Sequence, residues 1–300
     1  MMTNTNTKNG GINMKKWLIA ISLLLTFGLL AACGNGASQS QPNNSNNAAA
    51  GNNNNSIAVQ KITVGASAVP HAEILNFVKD KLKQQGVDMT VKVFDDYVLP
   101  NMALEDKQID ANYFQTVPYL DDFNKKHNTH IVPLDGIHFE PMGIFGGKQK
   151  TQDPKSGAVV AIPNDVSNGA RALKLLETKG WIKLTPGKKL NDLTKEDIVQ
   201  NPHKIVIKPM DAAMLGRALG EVDYAVINGN YAMQAGLKLS DALMMEKKGS
   251  EAAKTFANVI CVKAGDEKRP EIQKLIQVLK SDDVKKFIED KYKGAVVPVF

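Results

Sequence analysis

The chain has 300 residues, a hydrophobic fraction of 43%, a charged fraction of 23% and a formal charge of +6. That length accommodates two domains with separate cores, and the composition is ordinary for a folded globular protein. Lys8, Lys15 and Lys16 carry half of the excess charge ahead of residue 33, and beyond it acids and bases interleave, which excludes the clustered basic surface of a nucleic-acid binder.

The N-terminal segment reads as an export signal. Met14-Lys15-Lys16 is a positive start, Trp17 to Leu30 is apolar, and Leu30-Ala31-Ala32-Cys33 follows at once. The apolar run of 14 residues is shorter than the ~20 that a membrane-crossing helix needs. Residues 1–13 read as an upstream extension, with Met1 and Met14 both open as the start. Leu-Ala-Ala-Cys resembles the bacterial lipobox, and that resemblance implies a signal peptide over 1–32, a lipobox at 30–33 and acylation of Cys33. Residues 33–57 are expected to form a disordered tether. From Gly34 to Ser56 there is no charge and one proline among Asn, Ser, Gln, Ala and Gly, too little apolar surface to offset ordering entropy. Its expected span is on the order of 25 Å.

From Lys61 the pattern alternates. Lys61–Gly65 predicts a buried strand. About Pro70 to Gln85 predicts a helix, with Ile74, Leu75, Val78 and Leu82 at helical spacing and Gly86 as its stop. Met89–Phe94 predicts a strand, Leu99–Lys107 a helix, Ile109–Asn112 a strand, Val117–Lys126 a helix and His130–Pro133 a strand. The rhythm then repeats. Strands are expected at Val159–Ile162, Lys204–Lys208, Tyr224–Ile227 and Phe256–Val262. Helices are expected at Asn168–Lys179, with Gly180 closing it, at Ala212–Leu219 and, as a pair, over Pro270–Lys291. Such alternation implies parallel-rich sheets covered on both faces, in a two-lobed α/β protein. Ligands of such proteins sit beyond the carboxyl ends of strands. The segments there are aromatic and amide-rich: Asp95–Tyr97, Tyr113–Tyr119, Pro163–Asp165 and Asn228–Tyr231, all read as loops.

Catalytic patterns are thin. Gly146-Gly-Lys-Gln-Lys-Thr151 lacks the spacing of a phosphate-binding loop, and no Gly-x-Ser-x-Gly elbow occurs. Among the histidines His71, His127, His130, His138 and His203, the pair His127-Asn-Thr-His130 reads as a surface loop. Cys261, within Val259-Ile-Cys-Val262, reads as inert core, and Cys33 and Cys261 do not make a disulfide framework. Asp95-Asp96 and Asp121-Asp122 are paired acids that helix-start chemistry explains as well as catalysis does. Asn168 reads as a helix cap. No enzyme, cofactor or metal is expected.

Several segments carry a family resemblance: Phe94-Asp-Asp-Tyr-Val-Leu-Pro-Asn101, Asp110-Ala-Asn-Tyr-Phe-Gln115, Pro118-Tyr-Leu-Asp121, Phe139-Glu-Pro-Met-Gly143, Val160-Ala-Ile-Pro-Asn-Asp165, Arg171-Ala-Leu173 and Ala225-Val-Ile-Asn-Gly-Asn-Tyr-Ala232. In this order, over 60–300, they resemble the methionine-binding lipoproteins of the NlpA/MetQ family. The resemblance implies a periplasmic-binding-protein fold of type II with two crossover strands and a ligand in the interlobe cleft. Lobe 1 would comprise 58–138 and 259–300, and lobe 2 would comprise 139–258. It implies Tyr97, Phe114 and Tyr119 as an aromatic enclosure and Arg171, Asn228 and Asn258 as polar ligand contacts, with Thr116 beside them. On this reading Arg171 would hold the α-carboxylate through its two-pronged guanidinium, and the Asn228 and Asn258 oxygens would accept from the α-ammonium.

Two positions depart from the family pattern: Thr116 stands where histidine is common, and Ala213-Met-Leu-Gly216 replaces Ala-Gln-Leu-Pro. The resemblance implies a lipid-anchored component of an ABC importer, facing outside the cytoplasm, with a permease and its ATPase as partners. Its implied ligand is L- or D-methionine or a related amino acid. A short methionine-containing peptide, or a surface-anchored enzyme or sensor on the same fold, are the alternatives.

Overall fold

The computed structural model describes residues 59–249 and 254–300. The expected signal peptide, Cys33 and the tether up to residue 57 lie outside the described residues.

The chain opens with β1 (Gln60–Ser67), an irregular turn (Ala68–Ala72) in which Val69 is extended, and α1 (Glu73–Gln84). The predicted apolar stripe of α1 is the face it buries: Ile74, Leu75, Val78 and Leu82. Next come β2 (Val87–Phe94), α2 (Leu99–Glu105), β3 (Ala111–Thr116), α3 (Val117–His127) and β4 (Ile131–Phe139). After Phe139 the chain leaves this sheet and builds a second. That part holds β5 (Gly143–Gly146), β6 (Val159–Pro163), α4 (Val166–Lys179), β7 (Lys183–Leu184), β8 (Ile198–Gln200), β9 (Val206–Met210), α5 (Leu215–Ala218), β10 (Tyr224–Ile227), α6 (Gly229–Gln234) and β11 (Ala242–Met245). The chain re-enters the first sheet at β12 (Ala257–Lys263) and ends with α7 (Pro270–Leu279), α8 (Asp282–Tyr292) and β13 (Val297–Pro298).

The first sheet has six strands in the order β13-β4-β12-β3-β1-β2, and the second has five in the order β11-β5-β10-β6-β9. β1 runs parallel to β2 and β3, and β6 runs parallel to β9 and β10. The returning strand β12 is antiparallel to both β3 and β4. Each sheet has its own core. Ile62, Val64, Leu75, Val78, Leu275 and Ile288 belong to the first, and Val160, Ile162, Leu173, Leu176, Trp181 and Val226 to the second. These are the two lobes of a periplasmic-binding-protein fold of type II.

The sequence reading misses the true extent of β3. Ile109–Asn112 is expected as the strand and Tyr113–Tyr119 as a loop. The strand instead runs to Thr116, and Pro118 and Tyr119 already belong to α3. All six residues of β3 are buried. Its amides are tolerated there because they bond to one another. Asn101 Nδ2 donates to Gln115 Oε1 at 2.8 Å, and Asn101 Oδ1 accepts from Asn112 Nδ2 at 2.8 Å and Gln115 Nε2 at 2.7 Å. The closure of α4 follows expectation. Gly180, at φ +84°, takes the left-handed conformation that ends the helix.

Candidate functional site in the interlobe cleft

The carboxyl ends of β2, β3, β6 and β10 converge on the junction of the lobes, where β4 and β12 also pass. A small cavity lies there, lined by Tyr97, Phe114, Gln115, Thr116, Tyr119, Glu140, Asn168, Arg171, Asn228, Gly229, Asn230 and Asn258. All seven residues singled out on family grounds therefore line one space. The eighth, Cys33, lies outside the described residues.

One wall is aromatic and comes from the first lobe. The ring of Tyr97 lies 5.7 Å from that of Phe114 and 5.6 Å from that of Tyr119, and Phe114 and Tyr119 are 6.2 Å apart. The Tyr119 hydroxyl donates to the Tyr97 carbonyl at 3.0 Å. Burial raises the phenol pKa values of Tyr97 and Tyr119, so the wall stays neutral. Asp96 holds the turn ahead of α2 by accepting from the Val98 and Leu99 N–H groups, at 2.7 Å each. That is a helix-start role, whereas Asp121 and Asp122 lie past the first turn of α3 and do not have it.

The second lobe meets this wall directly. The Tyr97 hydroxyl donates to Asn230 Oδ1 at 2.6 Å, the Tyr231 hydroxyl donates to the Asp95 carbonyl at 3.2 Å, and the Tyr97 and Tyr231 rings are 4.8 Å apart. The cleft is closed in this structure.

The opposite wall is polar, and here the geometry refines the family-based expectation. Arg171 Nε donates to Glu246 Oε1 at 2.6 Å, and Nη2 donates to Glu246 Oε2 at 2.5 Å and to the Glu140 carbonyl at 2.8 Å. The two-pronged edge is thus already engaged by a carboxylate of the protein, which leaves Nη1. The guanidinium also lies over the Phe256 ring, 4.6 Å from its centroid. Asn258 differs as well. Its Oδ1 lies 3.0 Å from His71 Nε2, so its amide nitrogen is the end left for a ligand. Asn228 Nδ2 donates to Asn168 Oδ1 at 2.9 Å, while Asn228 Oδ1 is buried without a partner. Asn230 Nδ2 is likewise buried and unpartnered.

Asn168 is not the cap expected of it. Asp165 caps α4 by accepting the Asn168 N–H at 2.8 Å, and the Asn168 side chain donates to the Asp165 carboxylate through Nδ2 while its Oδ1 serves Asn228 at the cavity. The surface reading of the His127 pair fits the structure. His127 stacks on Phe123 at 4.3 Å, and the exposed His130 pairs with Glu105 at 3.2 Å. Cys261 is free and fully buried, and burial pushes its thiol pKa up.

The sequence reading misses Gln115, Glu140, Gly229 and Asn230, and behind them His71 and His138. Glu140 Oε1 lies 2.7 Å from His138 Nε2 and 3.3 Å from His71 Nε2, and His138 Nδ1 meets the Tyr113 hydroxyl. All three residues are buried. Burial pushes the Glu140 pKa up to about 6, against the pull of His71 and Arg171. It pushes His71 down to about 4 and His138 down to about 3. Phe139-Glu-Pro-Met-Gly143, quoted for the family, holds Glu140 and adjoins His138. That motif was the available signal.

Two α/β lobes closed over a cavity with one aromatic and one polar wall define a solute-binding protein. Residues 62–300 match the family model described as NlpA lipoprotein, and the chain belongs to that family. It is 37% identical over 293 residues to the methionine-binding lipoprotein MetQ of Bacillus subtilis, covering 95% of this chain and 99% of that one. A nutrient binding protein from Burkholderia cenocepacia, solved bound to methionine, matches with a TM-score of 0.75 and 41% identity over 80% of this chain and 100% of that one. An ABC transporter periplasmic substrate-binding protein from Coxiella burnetii matches with a TM-score of 0.73 and 37% identity, over 79% and 100% of the two chains. The family is one of substrate-binding lipoproteins and not of enzymes. Among the described residues no helix is long and apolar enough to cross a membrane.

Proposed function

We propose that this protein captures methionine, as the L- or D-isomer, or a closely related amino acid. It would deliver that ligand to an ABC permease and its ATPase while anchored outside the cytoplasm by a lipid on Cys33. The observation that carries the reading is the pairing of two walls. Rings of Tyr97, Phe114 and Tyr119 suit an apolar, polarizable thioether, with sulfur–aromatic contacts contributing roughly 0.3–1.5 kcal/mol each. Across from them, a buried acceptor and a buried donor, Asn228 Oδ1 and Asn230 Nδ2, stand without partners. Unpartnered buried polar atoms are costly, and a zwitterion brings a group of each kind.

In this reading Arg171 Nη1 and the Asn258 amide nitrogen face the α-carboxylate. Arg171 is a guanidinium pre-set by Glu246, and the ligand does not take its two-pronged edge. Thr116 leaves room beside the ring wall. The lobes, taken as 58–138 with 259–300 and as 139–258, part and close by a hinge at the crossovers. Calorimetric titration of refolded protein, freed of carried ligand, is expected to give micromolar or tighter binding of methionine. Heat from a methionine-containing dipeptide but none from either isomer of methionine would overturn the amino-acid assignment.

A further inference from the structure

We propose that Glu140, positioned by His71 and His138, is the group through which the cleft selects a protonated amine on its ligand. The inference deepens the amino-acid reading above and rests on it.

An ionised carboxylate has about four acceptor positions. At Glu140, Oε1 accepts from His138 Nε2 at 2.7 Å, the Asn230 backbone N–H is a second donor, and His71 Nε2, hydrogen-bonded to Asn258 Oδ1, stands 3.3 Å from Oε1 and at most shares its hydrogen with it. Gly229 makes the approach of the Asn230 N–H feasible. A Cβ there would lie 2.9 Å from the Glu140 Cβ and 3.1 Å from Oε2. At least one acceptor position remains, on a side chain that lines the cavity.

The hydrogen-bond pattern sets the protons. His71 Nε2 stands between two acceptors, Asn258 Oδ1 and Glu140 Oε1, so it carries the hydrogen, and His71 Nδ1 is left bare and unpartnered. His138 Nδ1 accepts from the Tyr113 hydroxyl, so Nε2 donates to Glu140. Both imidazoles are neutral in this arrangement and orient the carboxylate without cancelling its charge. The remaining ionic groups around it are Arg171 and the Glu246 carboxylate that Arg171 already holds, and the nearby phenols of Tyr97, Tyr113 and Tyr292 stay neutral. Among the residues lining the cavity, Glu140 therefore carries the one negative charge, with the Asp165 carboxylate set behind Asn168, and the unpartnered acceptor Asn228 Oδ1 shares that lining. A ligand ammonium satisfies both. A divalent metal fits the same three residues less well, because a metal-bound His71 would bury its Nδ1–H with no acceptor.

The test is calorimetry on the full folded protein, freed of carried ligand, with methionine and with its hydroxy-acid analogue, in which a hydroxyl replaces the amine. The wild type is expected to prefer methionine by about 10- to 100-fold, the range of a hydrogen bond to a charged group. Because protonation of Glu140 competes with the ammonium, methionine affinity should fall as pH drops below the Glu140 pKa of about 6, approaching tenfold per pH unit. In Glu140→Gln the preference should shrink to a few-fold and the pH dependence should flatten. His138→Leu should act in the same direction, and His138→Gln, which keeps an N–H donor, should recover part of the preference.

The wild-type pH and analogue measurements stand even where a variant folds poorly. Equal binding of the two compounds by the wild type, or an undiminished preference in a folded Glu140→Gln, overturns the proposal. So does micromolar Zn²⁺ binding that His71 or His138 variants abolish. Failure of the wild type to bind methionine at all overturns the amino-acid reading and this inference with it.

Discussion

The two walls of the cleft are built differently. On the first-lobe side Tyr97, Phe114, Tyr119 and Phe123 touch one another in a chain of rings, and the Tyr119 hydroxyl is satisfied within the same lobe. That wall is complete without a ligand and offers shape. The facing wall is an ionic and amide assembly whose charges are paired only in part and whose Asn228 and Asn230 keep unpartnered buried atoms. The apolar wall can accept any thioether-like tail, whereas the polar wall is left incomplete and reads the ligand's charged end. Discrimination should therefore reside in the second lobe and the crossovers.

The largest test of that contrast is Arg171→Ala. The substitution leaves the Glu246 carboxylate, only 11% exposed, without its partner. Breaking a buried pair on one side costs about 3–5 kcal/mol, so a marked fall in Tm should accompany loss of methionine binding. Combining Arg171→Met with Glu246→Gln separates the two roles. Most of the stability should return in thermal melts while calorimetry still finds no binding. Binding restored along with stability would show that Arg171 matters for the fold alone.

A smaller loss is expected from Asn101→Ala, which strips partners from Gln115 and Asn112 beneath the aromatic wall. Each group left unpaired costs about 1–3 kcal/mol, readable as a lower midpoint in denaturant unfolding at unchanged slope. Unchanged stability would mean that the amides repair themselves and that the first-lobe wall is less rigid than its packing suggests.

Acid should then separate the walls without mutation. His71 and His138 have folded pKa values of about 4 and about 3, below the ordinary 6.5, so the unfolded chain takes up their protons first. Stability from these two groups is present above pH 6.5 and drains away as pH falls toward 4 and 3. Glu140 works in the opposite sense. Its pKa is raised from 4.5 to about 6, so its ionisation lowers stability as pH rises through that interval. The histidine shifts are the larger, and the melting temperature should drop between pH 6.5 and pH 4. His71→Asn should lessen that drop. A wild-type Tm that rises on acidification would assign the cluster a protonated resting state.

How much of this could be read from the chain follows from sequence separation and local pattern. The stripe Ile74, Leu75, Val78 and Leu82 and the stop at Gly180 were legible because periodicity and a left-handed cap are local. β3 reads short because Gln115 and Thr116 look like a polar loop until Asn101 is placed against Gln115. The occupied edge of Arg171 was hidden, since Glu246 lies 75 residues away and nothing local marks the pair. The grouping of His71 with His138 and Glu140 was hidden for the same reason. The seven family-derived residues share one cavity because they sit at or just beyond the carboxyl ends of strands, on the helices that follow them, or, for Asn258, on the returning strand.

The finest test compares two hydroxyls on the same ring wall. Tyr97→Phe keeps the ring stack but removes the 2.6 Å donor to Asn230 Oδ1, a bond that spans the lobes. Tyr119→Phe removes a 3.0 Å bond to the Tyr97 carbonyl within one lobe. Each bond is worth about 1 kcal/mol net, but only the first distinguishes the closed form from the open one. Tyr97→Phe should therefore weaken methionine binding about fivefold and raise the radius of gyration of the ligand-free protein in solution scattering. Tyr119→Phe should lower Tm slightly and leave closure as it was. The reverse outcome, with Tyr119→Phe weakening binding and Tyr97→Phe leaving it intact, would mean that the aromatic wall reads the ligand's polar end after all.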